Sequence, residues 1–149
     1  MTSSTSYHPA AVDSTSHLSA LPLDMAAMLQ DAHHPGAGAV VLFSGEARDN
    51  SHGRTVNALE YEAHESMANK MIADILAEAK TKWGLKTALA CHRTGRVAIG
   101  ETAVVVITAA AHRGEAYEAN RYIIDRIKSE APIWKREFFA DGTTEWGRQ

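Results

Sequence analysis

Residues 103–137 read AVVVITAAAHRGEAYEANRYIIDRIKSEAPIWKRE, and this stretch decides the fold. It begins with an apolar run, Ala103–Ala111, whose valines and isoleucine are β-branched, which predicts a strand buried on both faces. After a basic turn at residues 112–114, the apolar period becomes that of a helix. The helix is expected to end near Glu130, because Pro132 moves the residue before it out of the α region.

The apolar side chains of this helix recur at helical spacing. Tyr117, Ile124 and Ile127 are expected to anchor it, with Asn120 and Ala131 at the same spacing. The first N–H groups of a helix have no partner within the helix. A helix N-terminus beside an arginine therefore favours an anion.

Two lysines lie beyond this anion-binding end. Lys128 is near the end of the predicted helix, and Lys135 follows in a second basic cluster after Trp134. They join the basic turn at residues 112–114 only if the far end of the helix returns toward it. That return requires neighbouring loops or a second subunit, and the sequence leaves both routes open.

Hydrophobic periodicity extends the prediction in both directions. The predicted helices are a short one within Leu18–Ala32, with Asp24 near its start, and a long one over His64–Trp83. The predicted strands are Ala39–Ser44, Thr55–Glu62 and Leu85–His92, with a turn segment at 95–100 and a hairpin at Asp141–Gly142 that returns through Trp146. Pairs of strands between helices favour an α+β fold with a mixed or antiparallel sheet. We expect a single domain, residues 18–149, after a flexible leader, residues 1–17, with His17 in solvent.

Two of these strands carry notable side chains. The alternation in Thr55–Glu62 puts Asn57, Leu59 and Tyr61 on one face of a half-buried strand. Cys91 lies within the next predicted strand, where a small buried thiol is the usual case. A nucleophilic cysteine requires an accessible, electropositive setting, so we expect Cys91 to be structural.

Composition excludes several classes of protein. The chain is 45% hydrophobic and 22% charged with a net charge of −3, whereas general nucleic-acid binders are usually basic. A single cysteine excludes a disulfide or a cysteine-based zinc site within one chain, and no metal site is expected. The longest apolar run, about nine residues, is too short to span a bilayer, and no secretory signal is visible. We therefore expect a cytoplasmic protein that binds neither nucleic acid nor membrane.

The remaining chemistry is cationic. Arg48, His112, Arg113, Lys128 and the pair at 135–136 all lie at or just beyond the ends of predicted elements, where sites tend to form. Each has a simpler interpretation as a surface residue, such as an ion pair between Arg48 and a neighbouring carboxylate. Together they suit an anionic substrate, and crowded cations lower the pKa of a lysine. One or two lysines are then candidates for proton transfer or imine formation.

At these residues the chain resembles the catalytic, large subunit of molybdopterin synthase. The matching segments are GAVVLFSGEARD (38–49), ALEYEAHESMA (58–68), HRTGRVAIGE (92–101), AAAHRGEAYEA (109–119), KSEAPIWKREFF (128–139) and DGTTEW (141–146), in the order of the family. The HR before a helix and the pattern K-x-x-A-P-x-W-K-x-E are specific. The segment at 58–68 departs from many relatives, which place an aromatic residue and a proline where His64 and Glu65 stand, and this departure is expected to affect only the entry to a helix.

The resemblance implies an α/β hammerhead-type fold and a central homodimer. Each subunit would hold a small ubiquitin-like partner with a C-terminal Gly-Gly thiocarboxylate, giving a heterotetramer. Two sulfur transfers from that tail would convert cyclic pyranopterin monophosphate to molybdopterin, in molybdenum cofactor biosynthesis. No cofactor of the enzyme's own is implied, because the partner supplies the sulfur.

The resemblance also assigns roles to residues of this chain. Lys135 would assist attack at the substrate carbon, with a covalent link to the tail or the substrate as one route, and Lys128 would act as acid, base or electrostatic stabiliser. The residues that would line the substrate pocket are Glu46, Ala47, Arg48, His112, Arg113, Lys128, Lys135, Arg136 and Glu137. The alternatives are a non-catalytic member of the same fold that binds the partner or a phosphorylated ligand, and, less favoured, a nucleotide-binding module.

Overall fold

Residues 16–149 are described by a computed structural model, in which they form nine strands and three helices. The strands are β1 (Leu18–Ser19), β2 (Ala39–Glu46), β3 (Asn50–Ser51), β4 (Arg54–Ala63), β5 (Thr87–Arg93), β6 (Gly95–Ala98), β7 (Thr102–Ala110), β8 (Ile133–Phe139) and β9 (Thr144–Arg148). The helices are α1 (Met25–Ala32), α2 (Glu65–Trp83) and α3 (Arg113–Glu130). Within residues 16–149, no helix is both long enough and apolar enough to cross a bilayer.

Strand β7 is buried on both faces, as its apolar run predicts. It lies inside a four-stranded sheet of order β1-β5-β7-β2, in which only the β1–β5 pair is parallel. Val105 and Ile107 pack against α1, whereas Val104 and Val106 belong to the main core, together with residues of α2 and α3. Helices therefore cover the sheet on both sides, and β7 fixes the position of each.

The second sheet has the order β3-β4-β8-β9, with β6 also paired to β4, and all its pairs are antiparallel. Strand β6 occupies the segment that the sequence predicts as a turn. The inner face joins the main core, whereas Trp134 and Trp146 on the outer face are exposed. The predicted hairpin at Asp141–Gly142 is confirmed by β8 and β9. The α+β class with mixed and antiparallel sheets is confirmed as well.

Helix α3 buries Asn120, Ile124 and Ile127, as predicted, together with further small and apolar side chains beside them. The prediction of Tyr117 as an anchor is wrong, because this side chain is 63% exposed. The buried positions of α3 are Ala116, Ala119, Asn120, Ile123, Ile124 and Ile127. The Asn120 Nδ2 donates to the carbonyls of Val41 (3.1 Å) and Val106 (3.0 Å), so α3 is hydrogen-bonded to the sheet as well as packed on it.

The beginning of the described chain agrees with the prediction for its helix and differs for His17. The short helix predicted within residues 18–32, with Asp24 near its start, is confirmed by α1. Asp24 caps this helix with its side chain. The prediction that His17 is in solvent is wrong, because its Nδ1 lies 3.1 Å from the Ala90 carbonyl and burial lowers its pKa. The rest of the predicted leader, residues 1–15, lies outside the described residues.

Strand β4 contains a bulge that changes which of its side chains point into the core. The register of its pairing with β8 shifts between Val56 and Ala58, so Val56 is buried with Leu59 and Tyr61. The predicted face is confirmed for Leu59 and Tyr61 and wrong for Asn57, which is exposed. The extra residue at the bulge interrupts the strict two-residue alternation from which the face of Asn57 was predicted.

Helix α3 passes to β8 through a two-residue turn. The N–H of Ala131 donates to the Ile127 carbonyl (3.0 Å), and the N–H of Ile133 donates to the Ala131 carbonyl (2.8 Å). Pro132 ends the helix, as predicted, and its carbonyl accepts from the His64 N–H (3.1 Å) at the start of α2. This turn places the end of α3 directly beside the start of β8.

Replacing Asn120 by alanine is expected to lower the free energy of unfolding by roughly 1–3 kcal/mol, because buried carbonyl groups lose a hydrogen-bond donor. Urea unfolding at neutral pH measures the change. The matched control is Asn57→Ala on the exposed side of β4, which should stay within about 0.5 kcal/mol of the wild type. An Asn120→Ala chain as stable as the control would contradict the tie between α3 and the sheet.

Candidate active site

Lys128 and Lys135 come together at the turn between α3 and β8. Lys128 lies in the last turn of α3, and Lys135 is the third residue of β8. Partial burial lowers the pKa of Lys128, and the nearby charge of Lys135 lowers it further. At a given pH, more of Lys128 is therefore the neutral amine, which can accept a proton, than is the case for an ordinary lysine.

The predicted pocket residues of β8 divide between its two faces. Lys135 and Glu137 share one face, with 4.0 Å between Nζ and Oε2. Arg136 lies on the other face, 3.9 Å from the Glu60 carboxylate, with its guanidinium over the Trp146 ring at 5.7 Å. The structure therefore brings Glu137 to the lysine pair but does not bring Arg136 there.

Two aromatic side chains complete the surroundings of the lysines, and the sequence analysis did not identify either as a site residue. Tyr61 pairs directly with Lys135 across β4 and β8. The His92 ring packs edge-to-face on Tyr61, with 4.8 Å between centroids and 72° between planes, and the charge of Lys128 acts on it. These four residues form one cluster, defined here as the lysine cluster. The sequence did contain one signal for them, because Tyr61 lies in the matching segment 58–68 and His92 in the matching segment 92–101.

His92 is the buried, uncharged member of the lysine cluster. Its Nδ1 lies 2.7 Å from the Arg93 carbonyl, so this nitrogen carries the proton of the neutral ring and donates it. Burial lowers the pKa of His92 to about 4, and the charge of Lys128 adds to this effect, although the Arg93 carbonyl and the Gln149 side chain oppose it. At neutral pH the side chain of Lys128 therefore lies near a ring that carries no charge.

The end of β2 lies at the same end of the sheet as the lysine cluster. Gly45 pairs with Val104 of β7, and Val104 pairs on its other side with His92. The next residues, Glu46 and Ala47, continue from this end. Ala47 is buried, so it shapes the backbone here and offers no polar side chain.

Arg48 follows at this end with its side chain exposed. Within residues 16–149 it forms no ion pair, so the simpler interpretation of Arg48 as the ion-pair partner of Glu46 or Asp49 does not hold. The Glu46 carboxylate instead accepts from the Ser44 hydroxyl (3.0 Å). Arg48 is therefore available to an anion that approaches the cluster end of the sheet.

His112 and Arg113 lie at the opposite end of the molecule. They follow the last residue of β7, whereas Lys128 is near the strand's first residue because α3 runs back along β7. Fifteen helical residues separate Arg113 from Lys128, which corresponds to about 22 Å. His112 is the N-cap residue of α3 with no side-chain capping bond, and both side chains are exposed. One chain therefore does not bring them to the lysine cluster.

The described residues favour acid–base and anion chemistry. Across residues 16–149 no group of three or more His, Cys, Asp or Glu side chains is arranged to hold a metal ion. Burial raises the pKa of Cys91 to about 11, which disfavours a nucleophilic thiolate. What the site offers is a neutral or charged amine at Lys128, a cation at Lys135 and the carboxylate of Glu137. This set can bind an anion and move a proton beside it.

The free energy of unfolding is expected to fall as the pH falls from 6.5 to about 4, because the unfolded chain protonates His92 and the folded chain excludes that proton. The part due to His92 is at most roughly 3 kcal/mol, at 1.36 kcal/mol per pKa unit. Urea unfolding of the wild type and of His92→Gln across this pH range measures it. A variant that loses stability with acid as steeply as the wild type would contradict the buried neutral ring.

Comparison with known proteins gives a consistent family. The family model described as "MoaE protein" matches residues 18–130. A molybdopterin synthase catalytic subunit of Thermoplasma volcanium is 46% identical over 125 residues, which cover 84% of this chain and 89% of the relative. The corresponding protein of Bacillus subtilis is 42% identical over 128 residues, covering 86% of this chain and 82% of the relative.

Solved structures show the same fold. A crystal structure of molybdopterin synthase from Staphylococcus aureus matches with a TM-score of 0.85 and 34% identity, covering 91% of this chain and 98% of that chain. A complex of subunits 1 and 2 of the molybdopterin-converting factor from Helicobacter pylori matches with a TM-score of 0.74 and 21% identity, over 91% of each chain.

Proposed function

This chain belongs to the MoaE protein family, as its sequence segments predict, and we propose that it transfers sulfur to cyclic pyranopterin monophosphate as the catalytic subunit of a molybdopterin synthase. The observation that carries the mechanism is the proximity of Lys128 and Lys135 at the end of α3. The sulfur comes from the C-terminal thiocarboxylate of a small ubiquitin-like partner; after each attack, water cleaves the acyl–sulfur bond, which leaves the sulfur on the pterin and a plain carboxylate on the tail. Two transfers give the dithiolene, and the reaction belongs to molybdenum cofactor biosynthesis.

The two lysines have different tasks in this proposal. Lys135, a cation beside Glu137, assists attack of the partner's sulfur at the substrate carbon. Lys128 is the better proton acceptor, because burial and the charge of Lys135 lower its pKa. Once protonated, it is the acid for the leaving oxygen. Cys91 has no part in the reaction, since the sulfur arrives with the tail.

The substrate phosphate is proposed to bind at the cluster end of the sheet. Arg48 is exposed there and unpaired within residues 16–149, and a guanidinium forks two phosphate oxygens. Glu46 and Ala47 shape the loop that holds Arg48 in place. Arg136 was predicted to line the same pocket. Because Arg136 lies on the outer face of β8, we give it a structural task instead, in which its contacts with Glu60 and Trp146 support the strand.

A second copy of the chain is proposed to complete each pocket. His112 and Arg113 are exposed but remote from the lysine cluster of their own chain, so a homodimer supplies them from the neighbouring subunit. Each subunit would also hold one small partner, giving a heterotetramer. The Helicobacter pylori structure that shares the fold is itself a complex of two different subunits. A cytoplasmic location and a flexible leader over residues 1–17 remain predictions from the sequence.

Replacing Lys135 or Lys128 by alanine is expected to lower product formation roughly 100-fold or more, because acid–base and electrostatic assistance are lost. The assay mixes the purified chain with thiocarboxylated partner and cyclic pyranopterin monophosphate and measures the pterin dithiolene. Lys70→Ala is the matched control, because Lys70 is exposed on α2 and pairs only with Asp74. Binding of a partner that lacks its last two glycines, measured by titration calorimetry, should be unchanged in all three variants.

The outcomes separate the proposal from its alternative. Full turnover by Lys135→Ala would remove the role given to that residue. A wild-type chain that binds the partner but forms no dithiolene would support the non-catalytic binding module instead. In that case the lysines would be anion contacts only, and their replacement would weaken ligand binding without any chemistry to lose.

Mixing two inactive variants tests whether the pocket is shared between subunits. Lys135→Ala and Arg113→Ala chains are unfolded and refolded together, so that mixed dimers form. Each mixed dimer has one pocket with both changes and one intact pocket, so activity should recover to about a quarter of the wild type, from half the dimers with half their sites. If each pocket belonged to one chain, mixing would restore no activity.

A further inference from the structure

Tyr61 lies at the centre of the lysine cluster and has no assigned task. It is only 8% exposed, and its ring is held from one side by His92. On the adjacent strand it stands directly opposite Lys135, and the charge of Glu137 acts on its hydroxyl. Packing and strand pairing thus fix this side chain beside both groups of β8 that face the proposed substrate.

The hydroxyl of this buried tyrosine is unsatisfied. Within residues 16–149 it forms no hydrogen bond, although buried tyrosines usually find a partner for the hydroxyl group. The Tyr61 oxygen is not fully enclosed, in contrast to the unpaired Arg93 Nε, Arg136 Nε and Gln149 Oε1. A polar atom that is unpaired but not sealed in is open to an approaching molecule.

The protonation state of Tyr61 decides what it can bind. Burial raises the pKa of its hydroxyl to about 12, and the negative charge of Glu137 raises it as well. The group therefore keeps its proton at physiological pH and acts as a hydrogen-bond donor rather than a base. A donor in the same cluster as two cationic side chains favours an anionic oxygen as its acceptor.

We propose that the Tyr61 hydroxyl is a binding group of the site and donates a hydrogen bond to an oxyanion held between Lys128 and Lys135. This inference rests on the proposed function, because the lysine cluster must bind an anionic ligand. The oxyanion has two possible sources with the same chemistry: the phosphate of the pterin substrate, and the carboxyl end of the partner's tail. His92 is the positioning residue that holds the Tyr61 ring in place.

The test is Tyr61→Phe, which keeps the ring against His92 and removes only the hydroxyl. Titration calorimetry measures the affinity of the full chain for cyclic pyranopterin monophosphate alone, and separately for the partner with a plain carboxylate tail. A partner lacking its last two glycines isolates the contribution of the tail. Tyr122→Phe is the matched control, because its hydroxyl accepts from Arg126 (2.8 Å) on the helical side of the molecule.

Tyr61→Phe is expected to lower the affinity for one of the two ligands by about tenfold or more, because a hydrogen bond to a charged group is lost. Weaker pterin binding identifies the phosphate, and weaker binding of only the full-length tail identifies the carboxylate. Wild-type affinity for both ligands would overturn the inference and leave the proposed function intact. A wild-type chain that binds neither ligand would overturn both. Tyr122→Phe should bind both ligands as the wild type does.

Turnover provides a second readout that packing alone would not change. With the tail as acceptor, Tyr61→Phe should raise the KM for the partner. With the phosphate as acceptor, it should raise the KM for the pterin. In both cases kcat at saturation should fall less than kcat/KM, since the hydroxyl binds and does not transfer a proton. An equal fall in kcat and kcat/KM, at an unchanged thermal midpoint, would contradict a binding task.

Discussion

The two-residue turn between α3 and β8 is the constraint on which the site depends. Pro132 cannot continue the helix, and Ala131 is completely buried, so the chain must change direction at once. The hydrogen bond from the His64 N–H to the Pro132 carbonyl ties this turn to the start of α2. A longer turn would let Lys128 and Lys135 move apart, and the pKa of Lys128 would lose the contribution from its neighbour.

The turn can do this only because β7 fixes α3. Residues of β7 pack on α1 with one face and into the main core with the other, so the sheet cannot slide relative to either layer. Asn120 adds directed hydrogen bonds from α3 to β2 and β7. The position of Lys128 is therefore set by core packing some two turns away, and the position of Lys135 by its pairing with Tyr61.

The sequence predicts much of this arrangement, and its errors have physical causes. Local chemistry, which acts over a few residues, accounts for the correct predictions: the buried strand β7, the end of α3 before Pro132 and the α+β order of the elements. Tyr117 was misplaced because a helix with alanines at its buried positions gives a weak apolar signal. His17 was misplaced because its contacts come from Ala90, far along the chain. Such long-range contacts leave no periodic pattern.

The site residues show the same limit more sharply. Lys128 and Lys135 were identified by a motif, but their proximity required the turn. Tyr61 and His92 escaped prediction because their importance lies in packing between β4 and β5, which no spacing in the sequence encodes. Conversely, the single chain separates Arg113 from the lysines by about 22 Å of helix, although the motif groups them. A motif indicates which residues matter, whereas geometry decides which of them can meet within one chain.

The electrostatics of the cluster explain why an anionic ligand and a proton belong together here. Lys128 lies near the uncharged His92 ring and near the charge of Lys135, and the Glu137 carboxylate lies 4.0 Å from Lys135. This arrangement disfavours the protonated form of Lys128. The oxyanion proposed between the lysines would reverse that effect, because an opposite charge raises the pKa of an amine. In the proposed reaction, ligand binding would therefore draw a proton onto Lys128 at the place where a leaving oxygen needs one.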